Sequence, residues 1–189
     1  MTGTLRLQIA AMLAGMAMVS GLVFQTSSAA FSGTTASSGN TFTAGTVSLS
    51  DDDAAAAMFS LSNLKPGDTS TKCIQLTYTG SLASAIKLYG AIGGGTGLGA
   101  YIDLTITSGT PGTFADCSTF AGTQIYSGTL ANFATTHANW SNGLSDANWT
   151  PSTNGQTRTY RFVTTLQDNN SAQGLSANTV SFTWEAQNT

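Results

Sequence analysis

Between Phe42 and Tyr89 apolar residues return at every second position: Val47 and Leu49, Phe59 and Leu61, Ile74, Leu76 and Tyr78, Ile86 and Leu88. A period of two sends successive side chains to opposite faces, so each segment is a strand with one buried and one wet face. Such strands are stable only when their apolar faces cover one another. Between two of them stands Lys65-Pro66-Gly67-Asp68. Proline sets φ for the first central position and glycine accepts positive φ at the second, which specifies a type II turn. The same reading places strands at about 44–50, 57–63, 70–79, 84–90, 100–107, 123–127, 157–166 and 178–187, with a helical turn or two from Leu130 to His137. Many short strands with no long amphipathic helix predict an all-β fold, an antiparallel β-sandwich of jelly-roll type.

The N-terminus follows a different rule. Arg6 precedes a nearly unbroken apolar run from Ile9 to Val23, followed by the small residues Ser27, Ser28, Ala29 and Ala30. A membrane-spanning helix needs about 20 apolar residues, and this run is shorter. The three regions are those of a cleavable secretory signal helix over residues 1–30. Cleavage after Ala30 leaves Phe31 as the new terminus, and cleavage after Ala29 is the alternative. Residues 31–41 then form a flexible arm rich in Ser, Thr and Gly, and residues 42–189 a single sandwich domain.

Without the signal the chain keeps five basic and nine acidic residues, a net charge of about −4, and no basic cluster. Nucleic acid and anionic membranes are therefore not expected partners, and contact with a membrane is confined to export. Only 8% of the chain is charged. A polar but uncharged surface repels its own copies weakly, which favours self-association. Cys73 and Cys117 are the two cysteines of an exported chain and are expected to form one disulfide.

Certain words in this pattern carry more than the period does. Phe42 to Leu49 reads FTAGTVSL, Asn63 to Asp68 reads NLKPGD, and Gly80-Ser81-Leu82-Ala83 follows. Near the C-terminus Asp168-Asn169-Asn170-Ser171-Ala172-Gln173-Gly174 precedes Val180-Ser181-Phe182-Thr183-Trp184-Glu185-Ala186. These segments resemble the TasA/camelysin family of secreted bacterial proteins, whose best-known members build the protein fibres of biofilm matrix. The middle of the chain, roughly 90–154, shows no such pattern. The resemblance implies processing by a dedicated signal peptidase at a site followed by an aromatic residue, which Phe31 fits. It implies a secreted structural subunit, at the cell surface or in the matrix, that polymerises with itself, with an accessory matrix protein as a further partner. In TasA-like fibres the segment after the cleavage site completes the sheet of the neighbouring subunit. Here the corresponding donor arm is Phe31, Ser32, Gly33, Thr34, Thr35 and Ala36. Its few large apolar residues leave backbone pairing to supply much of the binding.

Some relatives carry the label of a metallopeptidase, for which the residues of this chain give little support. The common zinc hydrolases need two histidines one helical turn apart with a glutamate between them. This chain has one histidine, His137, and one glutamate, Glu185. Asp51-Asp52-Asp53 are adjacent, whereas calcium loops alternate their ligands, so solvated turn aspartates are expected there. No G-x-S-x-G is present, and the glycine-dense stretch 90–99 lacks a phosphate-gripping lysine. No cofactor, metal ligand or catalytic residue is assigned. One further candidate is a binding function: Trp140 and Trp149 stand in the near-repeats Ala138-Asn139-Trp140-Ser141 and Ala147-Asn148-Trp149-Thr150. They are a candidate glycan platform if both indoles are exposed side by side, and loop anchors if buried.

Overall fold

The computed structural model describes residues 44–114 and 116–189. The signal region, the cleavage site at Ala30 and Phe31 and the arm residues Ser32, Gly33, Thr34, Thr35 and Ala36 lie outside the described residues. In chain order the elements are β1 (Leu49–Asp51), β2 (Thr69–Tyr78), β3 (Ser84–Gly95), β4 (Ile102–Thr110), β5 (Ala121–Thr129), α1 (Leu130–Thr136), β6 (Leu144–Ser145), β7 (Gln156–Leu166) and β8 (Ala177–Asn188). They form an all-β sandwich of two antiparallel sheets. The larger has the order β1-β2-β7-β4-β5 and the smaller β6-β3-β8.

Alternation explains the layers. Ile74 stands opposite Tyr160, Ser108 opposite Tyr160, and Ile106 opposite Phe162, so these side chains share the inner face of the large sheet. Ile86 and Leu88 face them from β3 opposite Ala186 and Trp184. Together they make one core in which Tyr78, Leu104, Ile106, Phe133 and Phe162 are inaccessible to solvent. The sequence-predicted type II turn is present: Gly67 has φ of 83° and the Asp68 N–H donates to the Lys65 carbonyl at 2.9 Å. The C-terminal turn also forms, with Asn169 capping the Ser171 N–H at 2.9 Å and Gly174 at φ 73°.

Strand order 2-7-4-5 against 8-3-6 is the wrapping of an eight-stranded jelly roll, where two Greek keys place strands 1-8-3-6 over 2-7-4-5. One strand departs from it. β1 lies on β2 in the large sheet, with Leu49 opposite Tyr78, instead of beside β8. Among the described residues β8 therefore pairs with β3 alone.

A second departure concerns residues 57–63, expected as a strand, which have no strand structure. Ala54, Ala55 and Asn63 adopt positive φ of 51°, 64° and 54° and turn the segment away from any ladder. Met58 and Phe59 still pack against the core, while Leu61 is exposed. What is missing is a neighbouring strand to bond with.

The flank made by the β5–α1–β6 connection is closed. Thr129 caps α1 by accepting from the Asn132 N–H at 3.1 Å, and the helix lays buried Leu130 and Phe133 between the sheets. Among the described residues no helix covers the flank between β1 and β8 in this way.

Candidate functional site

The open flank is a groove. Its floor is Ile74 and Leu166 of the large sheet, one wall is Phe59, Leu61 and Leu64 of the irregular segment, and the other is Val180, Phe182 and Trp184 of β8. These enclose an open cavity of about 520 Å³. Two of the chain's exposed large apolar residues lie here, Leu61 at 46% and Val180 at 37%. Val180 has the inward parity of Phe182 and Trp184, so it is a core position that nothing among the described residues covers. The Trp184 indole N–H is buried without a hydrogen-bond partner. Asp53 and Asp68 stand at the polar margin. Within β8, Thr179 has φ of 52°, a costly conformation for a β-branched residue, directly opposite Gly93.

The irregular segment is not loose. Asp52 clamps it: one carboxylate oxygen accepts from the Gln75 N–H at 2.9 Å and the other from the Phe114 N–H at 2.6 Å. The three aspartates are thus not all solvated turn residues, because Asp52 ties the groove wall to β2 and to the following strap. Burial, then the neighbouring Asp53 carboxylate, raises the pKa of Asp51.

That strap is the loop holding Cys117. Cys73 lies on the outer face of the large sheet opposite Arg161, on the side away from Ile74, as its parity predicts. The Cys73–Cys117 disulfide is formed, with Cα atoms 5.5 Å apart, and holds the loop over the sheet. Gly112 accepts from Gln75 Nε2 at 2.9 Å and from Thr159 Oγ1 at 3.0 Å, and the Arg161 guanidinium lies 4.9 Å from the Phe120 ring centre.

The two tryptophans are not brought together as a platform. Trp149 is 6% exposed and packs against Tyr160 at 6.4 Å. It is a plug at one end of the sandwich, since an indole of that size contributes most when buried. Trp140 is half-buried beneath the Lys87 ammonium, 5.0 Å from its ring centre. Their similar sequence contexts therefore serve different local folds. Asp146 organises the Trp149 loop: its Oδ2 accepts from Ser108 Oγ, from Arg158 Nε at 3.1 Å and from the Tyr160 hydroxyl at 3.3 Å. Burial, with the Asp146 charge second, pushes the pKa of Tyr160 well above its ordinary value.

His137 is half-buried against Phe133 and Tyr126, with Nδ1 2.8 Å from the Asn142 carbonyl oxygen. Glu185 accepts from the Tyr89 hydroxyl at 2.8 Å and from Gln187 Nε2 at 2.8 Å. Those bonds, Gln187 first, lower its pKa, and the bond to Glu185 raises that of Tyr89. Among the described residues no three His, Cys, Asp or Glu side chains converge as a metal site. Nor is any described helix long and apolar enough to cross a membrane.

The class defined by these observations is a disulfide-strapped, jelly-roll-type β-sandwich whose β8 edge, beside an apolar groove, carries no second strand among the described residues. Residues 4–90 match the family model described as camelysin metallo-endopeptidase. That match agrees with the TasA/camelysin resemblance of the N-terminal motifs, and its described part covers β1, β2 and the first half of β3. No curated protein matches the chain.

Proposed function

We propose that this protein is a secreted structural subunit, exported by its N-terminal signal, cleaved before Phe31, and assembled head-to-tail into an extracellular fibre by donation of its N-terminal arm. The observation that carries the reading is the β8 edge. Its backbone N–H and C=O groups on one side find no strand among the described residues, beside a groove whose core position Val180 is uncovered. An unpaired edge is a template for an added strand, and main-chain bonds give such a strand its affinity. The donor arm and the groove are different surfaces, so repeated contacts generate a filament instead of a closed pair.

The test compares residues 31–189 with residues 40–189 by electron microscopy and light scattering. Filaments from the first and none from the second are expected. Equal assembly by both refutes the donor role.

The family description favours a second reading, an extracellular metallopeptidase. It requires chelator-sensitive casein cleavage that persists through repurification. We assign no catalytic role to His137 or Glu185, which are held in neighbouring side-chain and backbone hydrogen bonds.

A further inference from the structure

Three triplets of this chain read Asn-x-Ser/Thr with x other than proline: Asn139-Trp140-Ser141, Asn148-Trp149-Thr150 and Asn169-Asn170-Ser171. In an exported chain that spacing is the acceptor of N-linked glycans, and it needs a surface loop. We propose that Asn139, Asn148 and Asn169 carry N-linked oligosaccharides, whether or not the protein forms fibres. The near-repeats around Trp140 and Trp149, which differ in burial, then share a purpose in their asparagines.

A chain so rich in Ser, Thr and Asn contains such triplets by composition alone, so geometry decides. All three asparagines are exposed and lie between regular elements. Asn139 Oδ1 accepts from the Ser141 N–H at 2.9 Å and from its hydroxyl at 2.6 Å. Asn169 Oδ1 accepts from the Ser171 N–H at 2.9 Å. In both, the amide oxygen is turned toward the chain, and Nδ2, the atom that takes the sugar, makes no hydrogen bond among the described residues. Asn148 is held through its backbone, whose N–H donates to Asp146 Oδ1 at 3.0 Å. Its neighbour Trp149 is buried while Asn148 itself faces water. Transfer to the unfolded chain suits that split, since the indole can afterwards pack beneath a residue already carrying its sugar.

The placement of the sugars fits the rest of the surface. Segment 137–151 runs along the edge of β3 that faces away from β8. The Gly90 N–H donates to the His137 carbonyl at 2.9 Å, β6 pairs with Lys87 and Leu88, and the Ser84 N–H donates to the Pro151 carbonyl at 2.9 Å. Asn139 and Asn148 are on this segment, so two glycans stand opposite the β8 edge and leave the groove clear. Hydrated oligosaccharide there keeps the weakly charged closed flanks of two copies apart.

In the transfer, Nδ2 bonds to the anomeric carbon of a sugar carried on a polyprenyl phosphate or diphosphate. The bond from that carbon to the phosphate oxygen breaks and the lipid phosphate leaves with the electron pair. One amide proton passes to a base of the transferase.

The test is the mass of the mature chain secreted by its own cells, followed by peptide mapping. One glycan on each of the three asparagines is expected, with the exposed Asn142 and Asn154, which begin no such triplet, bare. Asn148→Gln and Thr150→Ala should each remove one glycan mass, the second with the asparagine still in place. Ser141→Ala and Ser171→Ala should do the same at Asn139 and Asn169. A mass equal to that of the bare chain, sugar on serine or threonine alone, or glycan kept at Asn148 in Thr150→Ala overturns the proposal. Should a variant not be secreted, the map of the unaltered protein still decides.

Discussion

The two flanks of this sandwich solve the same problem in opposite ways. At one flank the β5–α1–β6 connection drives Phe133 between the sheets, where its ring meets Tyr126 at 4.9 Å and Phe182 at 5.8 Å. At the other, β1 is a three-residue strand on β2, and a segment without strand structure borders a cavity. The same inner-face chemistry is finished by the chain's own helix on one side and, among the described residues, left unfinished on the other. The open flank is where the proposed function places the docking of another strand.

The comparison can be broken by substitutions on each side. Phe133→Ala empties a fully buried aromatic site on the closed flank and is expected to cost about 3–5 kcal/mol of stability. Denaturant unfolding measures it, and filament formation by the folded fraction should persist. A loss below about 1 kcal/mol would mean that α1 is not the closing element. Tyr160→Phe should have a smaller effect, about 1 kcal/mol near neutral pH, because one hydrogen bond to Asp146 is lost. Its signature is in alkali. The folded-state pKa of Tyr160 is raised above 10.0, so its protonated form is favoured in the native protein. That contribution is complete below the unfolded pKa and is lost as pH rises through the folded one. Unfolding curves from about pH 9 to about pH 11 should thus fall less steeply for the variant. Identical slopes would remove Tyr160 from the alkaline response. Val180→Lys, on the open flank, is expected to change stability least, by under about 1 kcal/mol, because the side chain is already part-exposed. Light scattering should nonetheless show assembly lost. Unimpaired filaments from this variant would move the acceptor elsewhere.

Much of the architecture was legible in the residues. The two-residue period located β2, β3, β7 and β8, Pro66-Gly67 gave the turn, and the parity of Cys73 put the disulfide on the outer face. Residues 57–63 show where that reasoning fails. Phe59 and Leu61 alternate like a strand, yet alternation reports only which side is apolar, and a strand also needs a partner for its backbone. The open groove was hidden for the same reason. Val180 looks like any core position, and only the strand order reveals that its face is uncovered. The tryptophan repeats misled because identical neighbours do not fix burial. Trp149 is drawn in by the Asp146 network, whose members Ser108, Arg158 and Tyr160 come from distant strands.

The docking of Thr46 onto Ser81 and Leu82 sets more than a starting point for the chain. It places Ala44 at the end of the body where β8 finishes. In the proposed head-to-tail fibre every junction would point the same way, so the two tips of the row would be chemically unlike. One tip would display an unclaimed tail and the other an unfilled slot, and the two should then lengthen at different speeds.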